Sequence, residues 1–140
     1  VLYENKDWLP PLTEALQSLN LHYECLETTG GSIDIRDIPN AGVYINRMSP
    51  SSHTRGHQDG VIFTKEYLQI LEDCNLPVIN GSRAFSFELS KLKQHSALEH
   101  FGIKTPDTIG VVGTEGLIEA ARKIAIEFFF LIYQFIVFLF

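Results

Sequence analysis

The fold is decided by residues 43–80, whose sequence is VYINRMSPSSHTRGHQDGVIFTKEYLQILEDCNLPVIN. This stretch begins with a short apolar run, Val43 to Asn46, and ends with another, Pro77 to Asn80. Between them, apolar side chains recur at helical spacing from about Asp59 to Cys74. Two buried strands separated by an amphipathic helix are typical of a parallel sheet with crossover connections.

The residues before this stretch repeat the same alternation. A strand is predicted at Val1 to Tyr3, and Asp7 can cap a helix that follows it. Leucines 9, 12, 16 and 19 share one face of that helix. Leu21 to Glu27 is the next predicted strand, and residues 28–40 form a loop with room for a short strand at 33–35. The sequence therefore predicts an α/β fold, a Rossmann-like parallel sheet with helices on both faces.

Residues 82–123 continue the pattern with fewer strand signals. One helix is predicted from about Ser82 to Phe101, and Gly102 stands at the position that commonly ends a helix. A strand at Ile109 to Val112 and a helix from Glu115 to Lys123, capped by Thr114, follow.

Composition limits the class of protein. The chain has 140 residues, of which 45% are hydrophobic and 20% charged, and its net charge is −6. These values predict a folded globular chain and give no electrostatic case for nucleic acid or anionic lipid as a partner. The two cysteines, Cys25 and Cys74, form no CxxC pair, and no signal peptide is visible, so a cytoplasmic location with reduced thiols is expected.

The composition changes at residue 124. In residues 124–140 only Glu127 and Gln134 are polar or charged, and six residues are Phe. Three interpretations compete: a membrane span, which usually needs about 20 apolar residues, a buried strand, and a chain that is truncated or read out of frame. We expect a strand to begin near Ile126 and the remainder to be an apolar tail outside the native domain sequence.

A polar segment follows the apolar run at 43–46, where a parallel sheet would gather its ligands. It contains arginines, which bind carboxylate or phosphate with two parallel hydrogen bonds, and hydroxyl and imidazole donors. A solvated polar loop is the alternative interpretation. His53 and His57 have the spacing of two metal ligands on a helix, but Asp59 is the one further ligand near them in the sequence. We therefore predict no metal site. The substrate-side candidates are Arg47, Ser51, Ser52, His53, Arg55 and His57.

A second set of motifs carries a family resemblance. It comprises Val78-Ile79-Asn80, then Ser90-Lys91-Leu92, then Leu98 followed by Gly102-Ile103-Lys104-Thr105-Pro106-Asp107-Thr108. In this order and spacing the motifs resemble the junction between the pre-ATP-grasp domain and the ATP-grasp domain of carboxylate–amine ligases. Glutathione synthetase and the ligases that add glutamate to a ribosomal protein are such enzymes, and the similarity runs from about Tyr44 to Thr108.

The resemblance implies a function for one lysine. Lys91 matches the first of two lysines that contact the nucleotide phosphates, and Arg47 matches an arginine near substrate. The parent enzyme would use ATP and magnesium to join a small-molecule or peptide carboxylate to an amine, and such enzymes are often homo-oligomers. Ser90 departs from the family, which often has an acidic or amide residue there.

The resemblance also implies an organisation into three parts. Residues 1–81 would be the pre-ATP-grasp domain, residues 82–123 the connecting helix and first βα piece of the ATP-grasp domain, and residues 124–140 the tail. The second phosphate lysine, the glycine-rich flap and the magnesium ligands are not found after Lys123. We therefore expect this chain alone to be inactive and to bind ATP and magnesium weakly.

Two rival interpretations remain from the sequence. One is a non-catalytic Rossmann-like binding domain, tethered to a membrane by the apolar tail. The other is a receiver or flavodoxin-like domain, which lacks here the acidic cluster that a phospho-acceptor site needs.

Overall fold

The structure is a computed structural model that describes residues 1–38, 42–128 and 138–139. The chain divides into two units, Val1–Leu89 and Ser90–Phe140. The first unit contains a four-stranded sheet, and the second contains a pair of strands and two helices.

Four short strands form the sheet of the first unit: β1 (Leu2–Tyr3), β2 (Leu26–Glu27), β3 (Tyr44–Arg47) and β4 (Val78–Ile79). Their order is β2-β1-β3-β4, and all neighbours are parallel. The predicted parallel sheet in a mixed α/β chain is thus confirmed. Because the chain moves from β1 to one side and then to the other, the carboxyl ends of β1 and β3 border the point where the strand order reverses.

Three α-helices accompany this sheet: α1 (Pro10–Ser18), α2 (Gln58–Asp73) and α3 (Ser82–Leu89). Three 3-10 turns lie between the regular elements, at Lys6–Trp8, Ile35–Asp37 and Pro50–Arg55. The short strand predicted at 33–35 is wrong, because the Asp34 side chain accepts a hydrogen bond from the amide of Arg36 and starts a 3-10 turn.

The core lies between α2 and one face of the sheet. Leu2 from β1 packs there with Leu68 and Leu71 of α2 and with Phe85 of α3, all of them almost fully buried. The opposite face is more open, since Ile79 of β4 is 52% exposed. Helix α1 buries none of its own residues, although Leu9, directly before it, is buried. Helix α2 thus supplies half of the buried residues of this core.

The second unit contains α4 (Lys91–His100), β5 (Gly110–Val111), α5 (Leu117–Phe128) and β6 (Phe138–Leu139). Strands β5 and β6 are parallel. Gly102 follows α4 with a left-handed φ of 70°, and the amide of Ile103 donates to the carbonyl of Leu98. The predicted helix end at Gly102 is confirmed by this Schellman geometry.

Two sequence predictions for residues 82–128 are wrong. The single helix predicted from Ser82 to Phe101 is two helices, α3 and α4, because Ser90 is extended and its hydroxyl caps α4. The strand predicted from Ile126 is wrong at 126–128, where α5 continues to Phe128. The rest of the tail, residues 129–137 and 140, lies outside the described residues. Within the part of the chain that is described, no helix has both the length and the apolar character needed to cross a membrane.

Helix α2 approaches the loop after β2 so closely that only glycine fits at position 60. A Cβ there would lie 2.7 Å from the carbonyl oxygen of Thr28 and 3.2 Å from the Cα of Thr29. We predict that Gly60→Ala lowers the free energy of unfolding in urea by about 1–2 kcal/mol, because the clash exceeds the helix propensity gained. The matched control is Gly30→Ala, whose Cβ meets nothing within 4 Å. Equal stability of the two variants would contradict the close approach.

Candidate functional site

A buried carboxylate lies at the carboxyl end of β1. Glu4 directly follows the strand, and its side chain is only 2% exposed. Arg55 binds it through one edge of its guanidinium group, with Nε donating to Oε1 at 2.9 Å and an Nη donating to Oε2 at 2.8 Å. Nδ1 of His57 lies 2.9 Å from the same Oε1. Both carboxylate oxygens are thus held by charged or imidazole donors from a distant part of the chain.

Trp8 completes this arrangement, which we name the Glu4 cluster: Glu4, Trp8, Arg55 and His57. The guanidinium carbon of Arg55 lies 5.5 Å from the centre of the Trp8 ring, a cation–π distance. Trp8 is 48% exposed, and Arg55 is about one-third exposed. The cluster therefore presents an indole and a guanidinium edge to solvent while its carboxylate is buried.

Local structure explains why these side chains converge. Asn5 accepts a hydrogen bond from the amide of Asp7 and turns the chain after β1, which brings Trp8 back over the strand end. On the other side, Pro50 begins a 3-10 turn, and Gly56 leaves it with a left-handed φ of 83°. Gly56 is followed by His57, the residue that precedes α2. A tight turn between β3 and α2 thus places Arg55 and His57 at the reversal point of the strand order.

The ion pair between Glu4 and Arg55 shifts the pKa of both partners. The hydrogen bonds from Arg55, and secondarily those from His57, hold the pKa of Glu4 below its usual range despite burial, which acts in the opposite direction. The same contact raises the pKa of Arg55 above its usual range. Glu4 is therefore ionised at neutral pH, and its charge offsets that of Arg55.

The other substrate-side candidates take different positions. Arg47, the last residue of β3, is exposed, and so is His53, whose Nδ1 lies 2.8 Å from the carbonyl oxygen of Pro50. The hydroxyl of Ser51 contacts that of Ser49 at 2.9 Å. Ser52 is fully buried, and its hydroxyl lies 3.7 Å from the Met48 sulfur. Arg47, Ser51 and His53 can thus reach a ligand from solvent, whereas Ser52 packs in the core.

Lys91 belongs to the second unit and is the first residue of α4. It is exposed, and its ammonium donates to Oε1 of Gln94 at 3.1 Å. Ser90 caps the helix, since its hydroxyl accepts from the amide of Lys93 at 3.2 Å. The sequence predicted Lys91 in the middle of a longer helix, and the helix break puts it at an N-terminus instead.

A separate cavity opens between the loop after β2 and the first turn of α2. Its volume is about 150 Å³. Two acidic residues, Glu27 and Asp59, line it together with the apolar residues Ile33 and Phe63. The remaining wall is formed by a run of small residues and one helix residue: Thr28, Thr29, Gly30, Gly31 and Gly60.

Sequence reasoning did not identify Glu4, Trp8 or this cavity. A signal for Glu4 was present, because a carboxylate directly after the first strand stands where sheets of this kind gather ligands. Among residues 1–38, 42–128 and 138–139, no group of three or more His, Cys, Asp and Glu side chains is arranged to hold a metal ion.

Comparison with protein-family models, with curated proteins and with solved structures found no match for this chain. The geometry of the Glu4 cluster, of Lys91 and of the cavity is accordingly what bears on function.

We predict that Glu4→Gln lowers the free energy of unfolding at pH 7 by about 1–3 kcal/mol, because an amide leaves part of the Arg55 fork without an acceptor. Since the pKa of Glu4 is lowered on folding, its contribution is present above the unfolded value, near 4.3. That contribution is lost as pH falls through the lower folded pKa. Urea unfolding of wild type and variant should therefore converge as the pH falls below about 4.

The matched control is Asp37→Asn, because Asp37 is exposed and forms no ion pair among the described residues. It should leave both stability and its pH dependence near wild type. Parallel pH profiles for Glu4→Gln and wild type would show that the contact with Arg55 contributes nothing.

Proposed function

We propose that this chain is the N-terminal portion of an ATP-dependent carboxylate–amine ligase of the ATP-grasp type. It would contain a Rossmann-like pre-ATP-grasp domain and the start of the ATP-grasp domain. The observation that carries the proposal is the position of Lys91 as the first residue of α4. The motif resemblance assigns a phosphate contact to that lysine, and a helix start is a suitable place for one.

The electrostatics of a helix start support this assignment. The first amide N–H groups of an α-helix have no partner within the helix and carry partial positive charge. A lysine in that turn is unfavourable for the isolated helix, because its charge adds to that of the amides. An anion at the helix start reverses the sign of this effect, since amides and ammonium can then bind it together. A nucleotide phosphate is such an anion.

The departure at Ser90 also has a physical explanation. Family members often carry an acidic or amide residue before the lysine, and aspartate and asparagine are good N-cap residues. Serine belongs to the same group of caps, and Ser90 makes the capping hydrogen bond to the amide of Lys93. The substitution therefore preserves the helix start on which the proposed phosphate contact depends.

On the substrate side, Arg47 is the group best placed to bind a carboxylate. The Arg55 fork is occupied by Glu4, so its charge is largely compensated. Arg47 is exposed at the end of β3 and forms no ion pair in the part of the chain that is described. His53 and Ser51, both exposed, lie on the following turn and can donate hydrogen bonds. We propose these three residues as contacts for the carboxylate of a small molecule or peptide.

The proposed reaction has two steps. A carboxylate oxygen attacks the γ-phosphorus of ATP and releases ADP, and an amine then attacks the acyl carbon of the acyl phosphate and releases phosphate. Magnesium would offset the charge on the phosphates. Magnesium of this kind is usually held by one or two carboxylates together with waters and the phosphates themselves. We propose that this chain supplies the first phosphate-binding lysine and the substrate-side residues, and that the reaction also uses further ATP-grasp sequence in the cytoplasm.

We predict that Lys91→Ala weakens ATP binding about tenfold to hundredfold in a protein extended through the coding sequence after position 140. The loss corresponds to one charge-assisted contact of about 1.5–3 kcal/mol. Isothermal titration with ATP and magnesium measures the affinity of the extended protein and of the 140-residue chain, which we expect to bind weakly.

Lys104→Ala is the matched control, because Lys104 is an exposed lysine of the same unit that lies outside the helix. It should leave the affinity of the extended protein unchanged. An equal loss of ATP affinity in Lys91→Ala and Lys104→Ala would show that Lys91 does not contact the nucleotide phosphates. Equal, magnesium-dependent ATP affinity in the short and extended proteins would instead refute the proposal that this chain is a fragment.

A further inference from the structure

The cavity at the start of α2 carries a charge pattern that the proposed function does not use. Glu27 ends β2, and Asp59 is the second residue of α2. Both line the cavity from exposed positions. Neither carboxylate forms an ion pair within residues 1–38, 42–128 and 138–139. An anionic ligand would meet two negative charges here, so the cavity selects for a cation.

The hydrogen bonds of Glu27 fix one of these carboxylates. The Thr29 hydroxyl donates to Oε1 at 2.6 Å, and the Tyr3 hydroxyl lies 3.4 Å from Oε2. Each carboxylate oxygen can accept more than one hydrogen bond, so Glu27 retains acceptor capacity toward a ligand. Gly60 and Thr28 also line the cavity, and a Cβ at position 60 would lie 2.7 Å from the carbonyl oxygen of Thr28.

The rest of the wall distinguishes between kinds of cation. Ile33 and Phe63 are the large apolar residues of the lining, and the Phe63 ring stacks on Tyr67 with ring centres 5.4 Å apart. Calcium and magnesium need oxygen ligands on most sides, which a half-apolar wall does not supply. An organic ammonium instead matches the wall, because its charge can lie at the carboxylates and its carbon chain against Phe63.

We propose that this cavity binds the ammonium group of a short primary amine. The space of about 150 Å³ is lined by acidic and apolar residues together. The end of an aliphatic amine, such as a lysine-like side chain, combines the matching charge with a matching apolar stem. If the chain belongs to a carboxylate–amine ligase, this ligand is the nucleophilic amine, and that further step alone rests on the proposed function.

The test uses n-butylammonium as the probe and the 140-residue chain as the protein. Amide chemical-shift titration by NMR should show saturable changes at residues 29–31 and 59–63. Asp59→Asn and Glu27→Gln should each weaken binding about twofold to fivefold, the range for an exposed ion pair. Asp73→Asn removes the same charge at the opposite end of α2, and it should leave the affinity unchanged. n-Butanol, which has the same chain without the charge, should bind at least fivefold more weakly.

Three outcomes would overturn the proposal. The first is equal affinity for n-butanol and n-butylammonium, and the second is an equal loss of n-butylammonium affinity in Asp59→Asn and Asp73→Asn. The third is displacement of n-butylammonium by magnesium at the same residues. Lys91→Ala should not change amine binding, so this inference and the proposed ATP contact can fail separately. In the extended protein, Asp59→Asn should raise the KM for the amine and leave the KM for ATP unchanged. The reverse split would assign the cavity to the nucleotide.

Discussion

The first unit depends on a single buried carboxylate. Glu4 joins the end of β1 to the turn between β3 and α2, through contacts that span 51 residues to Arg55 and 53 to His57. An unpaired carboxylate at this depth would be costly, so the turn must close over Glu4 when the sheet forms. Closure of that turn places the start of α2, and α2 supplies half of the buried residues of the core that covers the sheet. The Glu4 cluster thus fixes where the main helix of the fold begins.

The sequence predicted the elements with strong periodicity and missed those decided by local side-chain chemistry. Helix α2 and strand β3 were predicted within one residue at each end, because a long apolar stripe and a buried apolar run leave few alternatives. The break at Ser90 was missed because the residues of α3 before it and of α4 after it both have helical propensity, and the capping hydroxyl of Ser90 marks the boundary. The strand predicted at 126–128 was wrong because α5 had already formed over the preceding residues, and extending a helix is easier than ending it.

The candidate site shows the same division. Arg47, Ser51, Ser52, His53, Arg55 and His57 could be selected from sequence because they follow a predicted strand as one polar segment. The sequence could not show which of these residues are free to reach a ligand. Ser52 is buried and Arg55 is paired with Glu4, and both outcomes depend on contacts that form only in the folded chain. The cavity needs the approach of α2 to the loop after β2, which depends on the register of β1 with β2 and on Gly60. Long-range packing of this kind leaves no periodic signal in one sequence.

The position of β1 has a consequence for how the protein forms during synthesis. Leu2 pairs with Leu26 on one side and with Asn46 on the other, so β1, which is synthesised before the other three strands of this sheet, is an inner strand. At about 5–20 residues per second, the 44 positions from Leu2 to Asn46 take about 2–9 seconds to translate. During that interval the nascent strand has one of its two edges without its native neighbour. Both edges of β1 are therefore paired only after β3 has been synthesised.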